Sequence, residues 1–403
     1  MKKDQAVQSP AGRLRARRKK RIMIALAAAV VILAAVVIGV CVQVLPGRSQ
    51  GQAGQGQQSE GFPYSINSNL VRDMRMLGPD VLLLTDEAVT VLDSSGREVS
   101  RMPHAYKRPA MDLRAGRLIV YDRGGRKLRL QNRTKILLEK ELESDIVTCA
   151  IGRSGNFAVA TREDNAASFL TVYDKNVNEV FKWRSSNDYI MDIALSDDGK
   201  YAAVAVAGSS SGKLYSKTYV FAFSKDKPLA SLEYPGVSLF DVSFSGKSTI
   251  LVTGDSLRGV IQNRTKMMEP FSFGTNELRC FSASEEGESA LVLAEYGSMN
   301  ANDLIVYDEE GQEKFRQSFG QEVRWVSCDG SNTAVLLAGS VQAFDAKGRK
   351  IGHFAVRSDA LRVLVSGRST YVLSMGNWIA WIRGINRWIH SGFRLGWELC
   401  YLL

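Results

Sequence analysis

At 403 residues the chain is long enough to bury one large β domain or two average ones, and its net charge is +10. Nine Lys/Arg against Asp4 in residues 1–21, with Arg383, Arg387 and Arg394 against Glu398 in residues 377–403, account for that whole excess. The body between is close to neutral, so no basic face is left for phosphates, and nucleic acid is excluded as a partner. Only three histidines are present, and Cys41, Cys149, Cys280, Cys328 and Cys400 form no C-x-x-C pair, which speaks against a zinc centre and a disulfide framework alike.

Residues 1–21 form a basic arm. Ile22 to Leu45 follows without a single charge over 24 residues, enough helix to cross a hydrocarbon core of roughly 30 Å. It exceeds a signal-peptide core and no A-x-A-like site follows, while Val40 is not the small residue that lipoprotein processing at Cys41 would need. An uncleaved transmembrane anchor over 22–45 is therefore expected, with the basic arm cytoplasmic and the remainder extracytoplasmic. Residues 46–60, rich in Gly, Gln and Ser, read as a flexible linker.

From residue 61 to 376 short alternating apolar runs are separated by Gly, Asp, Asn and Ser, the pattern of strands and hairpins. A glycine turn leading into an apolar strand recurs at Gly78, Gly116, Gly155, Gly199, Gly246, Gly287, Gly330 and Gly367, every 37 to 47 residues. A second marker, an apolar strand ending in a turn former, interleaves with it at Asp93, Asn132, Asp174, Ser224, Asn263, Asp308 and Asp345. Units of this length with four strands predict an all-β fold, an eight-bladed β-propeller preceded by one transmembrane helix. The eighth unit has only two strands before the sequence changes, so FPYSI (Phe62 to Ile66) is the expected outer strand closing the last blade; without that pairing the ring has seven.

The pentapeptide QNRTK occurs at both Gln131 to Lys135 and Gln262 to Lys266. N-R-T matches a glycosylation acceptor, but Asn132 and Asn263 hold the turn position that Asp fills in other units, so turn chemistry within a repeat is the expected reason. FSGKST (Phe244 to Thr249) has Asp241 where a phosphate loop needs glycine, and GRSGN at Gly152 misses the nucleophile elbow. GSSSG at Gly208 reads as a loop within the fourth unit, and Asp197 and Asp198 as turn formers rather than calcium ligands.

LSDDGKYAAVAV resembles the inner hairpin of WD40-like and TolB-like repeats, and LIVYDEEGQEKF, VLDSSGREV and AFDAKGRKI resemble the outer hairpin of pyrroloquinoline-quinone-like repeats. The layout over residues 1–376 is similar to an uncharacterised family of membrane-anchored bacterial β-propellers, which implies architecture and location but no activity. Neither the Trp-Asp and Gly-His pairs of true WD40 repeats nor the adjacent cysteines of a quinone enzyme are present, and no cofactor or metal is expected.

The first strand of most units carries a charged residue: Asp73, Asp112, Asp192 and Asp241 early, Arg279, Arg324 and Arg362 late. If these face the central channel, it has an acidic and a basic side suited to an ion-paired or zwitterionic ligand; the competing expectation is that each ties one blade to the next. No catalytic residue is expected. The tail 377–403 holds Trp378, Trp381, Ile382, Ile385, Trp388, Ile389 and Phe393 at helical spacing, which leaves open an interfacial membrane helix or an altered reading frame. The expected role is a scaffold for an envelope protein, peptide or glycan, the alternative a hydrolase or lyase working in the channel.

Overall fold

The computed structural model describes residues 61–66, 70–163, 166–298, 300, 302–375 and 378–383, with backbone alone for Trp378 and residues 380–383. The expected basic arm, membrane span and linker lie outside the described residues, as does the tail beyond Arg383. Among the described residues no helix is long and apolar enough to cross a membrane.

Among those residues the strands pair into eight antiparallel sheets, seven of them built from chain-consecutive strands. The first strands, Val71–Leu77, Pro109–Arg114, Ile146–Ile151, Tyr189–Leu195, Leu239–Ser245, Asn276–Ala283, Val323–Cys328 and Ala360–Ser366, line up as inner strands. The eighth packs beside the first, so the chain is a β-propeller closed on itself. LIVYD occurs twice: at Leu118 to Asp122 it lies in Arg117–Asp122, the second strand of its sheet, and at Leu304 to Asp308 it follows the third strand Asn302–Tyr307 into a turn. Sheets without hydrophilic faces need cover on both sides, and the second strands comply: Val81, Leu82, Leu83 and Leu84 are all fully buried. Apolar clusters join neighbouring sheets, as where Ala158, Leu170 and Phe181 of the third meet Val204 and Phe221 of the fourth.

The last sheet joins both ends of the propeller. Tyr64–Ser65 pairs with Trp378–Arg383, which pairs with Ser369–Ser374. Tyr64 lies opposite Ile379, both buried, and Tyr64 and Ile66 pack against Met74, Val81 and Leu83 of the first sheet. FPYSI therefore supplies the expected outer strand, whereas the tail corrects the reading made of its first residues. Trp378 to Arg383 is the missing third strand and extends the propeller past residue 376. Two neighbouring strands offer it ladder hydrogen bonds, and those outweigh a helical spacing broken by glycine.

All eight marker glycines have positive φ, from 52° at Gly367 to 108° at Gly287, which a side chain would strain. Asp93, Asp174, Asp308 and Asp345 each accept two N–H groups of their own turn; for Asp345 these come from Lys347 and Arg349, both at 2.9 Å. Asp345→Ala removes that acceptor at an exposed turn, where water replaces part of it. A loss of about 1 kcal/mol is expected, read as a melting point lower by about 1–3 °C.

The two QNRTK copies share position but not conformation. Asn132 Oδ1 accepts from the N–H groups of Thr134 and Lys135 at 3.0 and 2.9 Å, while Asn263 and Arg264 instead adopt φ of 50° and 64°. Each arginine reaches the preceding sheet: Arg133 forks onto the buried Asp80, and the Arg264 guanidinium lies 4.2 Å from the Tyr201 ring centroid. GSSSG is not a loop as expected, because Gly208 to Ser210 continue a ten-residue strand that turns only at Ser211 and Gly212. The extended hairpin is held by Tyr215 and Tyr219, which donate to Asp188 at 2.7 and 2.8 Å.

Candidate functional site: the axial ring and its mouth

Seven of the eight first strands carry a β-bulge near their start, where an extra residue shifts the register by one. The register shift separates the seven charged residues into two sets. Asp73, Asp192, Asp241 and Arg362 directly follow the extra residue, whereas Arg279 and Arg324 are themselves the extra residue. Asp112 sits in the one first strand without a bulge. The seven residues thus stand in two tiers, since a one-residue insertion turns a side chain toward another face.

The inner tier couples sheet to sheet. Asp112 Oδ2 accepts from Ile151 N–H and Asp192 Oδ2 from Val242 N–H, both at 2.9 Å and both in the following sheet. Ser282 and Ser327 repeat the device on Cys328 N–H and Val365 N–H, each at 3.0 Å. Across the closing seam, Arg362 lies 3.6 Å from Asp73, Arg75 donates to Asp73 at 2.9 Å, and Arg75 lies 3.6 Å from Asp112. Acid and base meet here instead of facing each other across the channel. Arg362 also lies 4.8 Å from the Trp325 ring. The seryl, Arg75 and Trp325 partners are not legible in the sequence, because which residue of a first strand meets the next sheet depends on register.

Electrostatics concentrate on Asp192 and Asp241. Burial, then the neighbouring Asp241 charge, pushes the Asp192 carboxyl well up; burial pushes Asp241 to about 6, with Arg258 and Arg75 opposing. Asp241 Oδ2 is enclosed without a hydrogen-bond partner, and behind it Arg258, 2% exposed, stacks 5.1 Å from the Tyr307 ring of the sixth sheet. Among the described residues no group of His, Cys, Asp and Glu could hold a metal ion.

The channel ends differ. At the end where first strands turn into second strands, Asp197 binds Arg114 at 3.1 Å and Arg153 at 3.3 Å, tying three sheets together. Glu285 of the sixth sheet accepts from Ala115 N–H of the second at 3.4 Å, a contact across the ring. At the other end six of the seven bulge residues, Arg72, Met191, Phe240, Arg279, Arg324 and Leu361, are exposed, and the seventh, Val147, is half-buried.

Inner-strand tiers around an axis, enclosed by four-stranded sheets, define this protein as a β-propeller. Residues 64–383 match a family of unknown function, DUF5711, and the chain belongs to that family. No curated protein sequence is significantly similar to it. Among solved structures it is similar to BamB from Moraxella catarrhalis, at 12% identity and TM-score 0.50 over 81% of this chain and 99% of that one. It is likewise similar to Chaetomium thermophilum Sqt1 bound to the N-terminus of ribosomal protein L10, at 14% identity and TM-score 0.54, covering 81% of this chain and all of that one. The computationally designed protein Ika8 aligns at 11% identity and TM-score 0.56 over 79% of this chain and 98% of that one. At such identities these likenesses speak to the fold.

Proposed function

We propose that this chain is a single-pass membrane protein whose eight-bladed propeller stands on the extracytoplasmic side and binds an envelope protein, peptide or glycan. The observation that carries the binding role is the asymmetry of the channel, one end cross-bridged by Arg114, Asp197, Arg153 and Glu285, the other offering exposed aromatic, aliphatic and arginine side chains. A propeller of the same fold, Sqt1, is bound to a ribosomal protein segment, which supports a peptide-binding use of such a ring. The anchor rests on the uncharged stretch from Ile22 to Leu45 behind nine positive charges.

Crosslinking in the protein's own membrane followed by affinity purification is expected to recover a discrete partner, and protease added to spheroplasts is expected to reach the propeller. Recovery of nothing above background, or a protected propeller, contradicts the reading. A second reading, a hydrolase or lyase, has one observation in its favour: Asp192 and Asp241 are carboxyls with raised pKa in a channel. It requires turnover that Asp241→Asn abolishes.

A further inference from the structure

Most exposed large apolar side chains of the propeller gather at one end, while Ile136, Leu137, Val180 and Phe271 lie on outer strands. In an antiparallel sheet the start of the first strand and the turn between second and third strands lie together. Tyr189, Met191, Phe240 and Leu361, all at least 43% exposed, are at first-strand starts, and Tyr296 and Met375 are in second-to-third turns. An apolar concentration of this kind on a propeller whose sheets already bury their faces marks a contact surface.

Among the bulge residues the charge is one-sided, although Asp188, Asp255 and Asp359 lie at the same end. The seven bulge residues are Arg72, Val147, Met191, Phe240, Arg279, Arg324 and Leu361, three cations and no acid. Three of the four apolar members, the half-buried Val147 and the exposed Met191 and Phe240, occupy the consecutive third, fourth and fifth sheets; the arginines stand in the sixth, seventh and first, with Leu361 of the eighth between the last two. The carboxylates that Arg279 and Arg324 meet are Glu277 at 2.6 Å and Glu322 at 3.4 Å, two residues back on the chain and themselves over a third exposed, and each guanidinium also donates to a rim carbonyl, Ser298 at 3.3 Å and Ser358 at 3.0 Å. Such surface pairs hold by under about 1 kcal/mol and exchange readily for an incoming carboxylate. Arg72 is exposed and has no carboxylate partner among the described residues. The acids Asp73, Asp192 and Asp241 sit one residue further along, below the rim, where they oppose entry of a carboxylate into the channel.

We infer that this mouth docks an acidic peptide segment carrying aromatic or aliphatic side chains, lying across the rim with its apolar groups on the third to fifth sheets and its carboxylates on Arg72, Arg279 and Arg324. The inference rests on the binding-module reading and names the partner's chemistry.

The test is fluorescence anisotropy with full-length protein in nanodiscs and labelled short peptides: alternating Asp with Leu and Trp, the same with Lys for Asp, and the same with Ser for Leu and Trp. Only the acidic apolar peptide is expected to bind, weakening at least about tenfold in the R279E/R324E protein and in the M191S/F240S protein, and weakening with added salt. R279Q/R324Q, which leaves Glu277 and Glu322 unpaired but adds no charge, is expected to weaken binding with an unchanged melting point. Binding that is equal for the Lys peptide, or unchanged in both exposed-residue variants, overturns the inference. The module reading fails separately, if native-membrane crosslinking yields no partner; a partner crosslinked only through the outer strands sinks the mouth and spares the module.

Discussion

Ending the chain after Met375 is expected to cost the propeller several kcal/mol and lower its melting point by about 5–10 °C, at roughly 1–3 °C per kcal/mol for a domain of this size, whereas ending it after Arg383 leaves the transition unchanged. Trp378–Arg383 is the only strand that connects Ser369–Ser374 to Tyr64–Ser65 among the described residues. Without it Tyr64–Ser65 loses its ladder partner, Ser369–Ser374 keeps only Ala360–Ser366, and its open edge faces water and other chains. Ile379 is fully buried, and its removal alone forfeits about 1.5–3 kcal/mol of transfer free energy. Tyr64 and Ile66 would then lose their hold on Met74, Val81 and Leu83, so the damage extends to the first sheet. Thermal unfolding followed by circular dichroism measures this, and equal melting points for the two truncations would show that the ring closes without that strand.

Mild acidification is expected to stabilise the propeller. Asp241 titrates near 6 in the folded protein against about 3.9 in an unfolded chain. A carboxyl raised on folding contributes stability present at low pH and lost as pH rises through its folded value, so falling pH restores it. Between pH 7.5 and 5 the gain from Asp241 is about 1–2 kcal/mol, and Asp192 and Asp112, both raised chiefly by burial, add in the same direction. The trend reverses at lower pH. The Ser95 hydroxyl and the Arg97 N–H hold Asp93 well below the usual range, and Asn178 holds Asp174 down, so protonating these turn carboxylates removes stability below about pH 4. Asp241→Asn should raise the melting point at pH 7.5 and flatten the rise toward pH 5. A melting point that falls steadily from pH 7.5 to 5 in the wild-type protein would show that Asp241 is not charged at a cost.

What could be read from the sequence was what the backbone imposes locally. A left-handed turn admits little besides glycine, so the marker glycines, from Gly78 to Gly367, spaced the sheets; Asp and Asn that bond their own turn spaced the outer hairpins. The candidate site was legible only in part, because it depends on register. A bulge leaves no signal in a single strand, yet it separates Arg279 and Arg324 from Asp241 and Arg362. Contacts across the ring leave none either: nothing in the chain announces that Glu285 meets Ala115, 170 residues away. The tail misled for a related reason. Trp378, Trp381 and Ile382 carry a helical spacing, and only the two unpaired strands waiting beside them decide for a strand.

The claim that the bulge end of the ring is a partner-binding surface is tested most directly by site-specific photocrosslinking in the native membrane. A photoreactive residue is placed in turn at Phe240 and Tyr189, at the mouth, and at Leu137, which is 52% exposed on the outer strand Ile136–Glu141. The account predicts a discrete adduct with another protein from Phe240 and Tyr189 and none from Leu137. Adducts from Leu137 alone, or none from either mouth position, would contradict it.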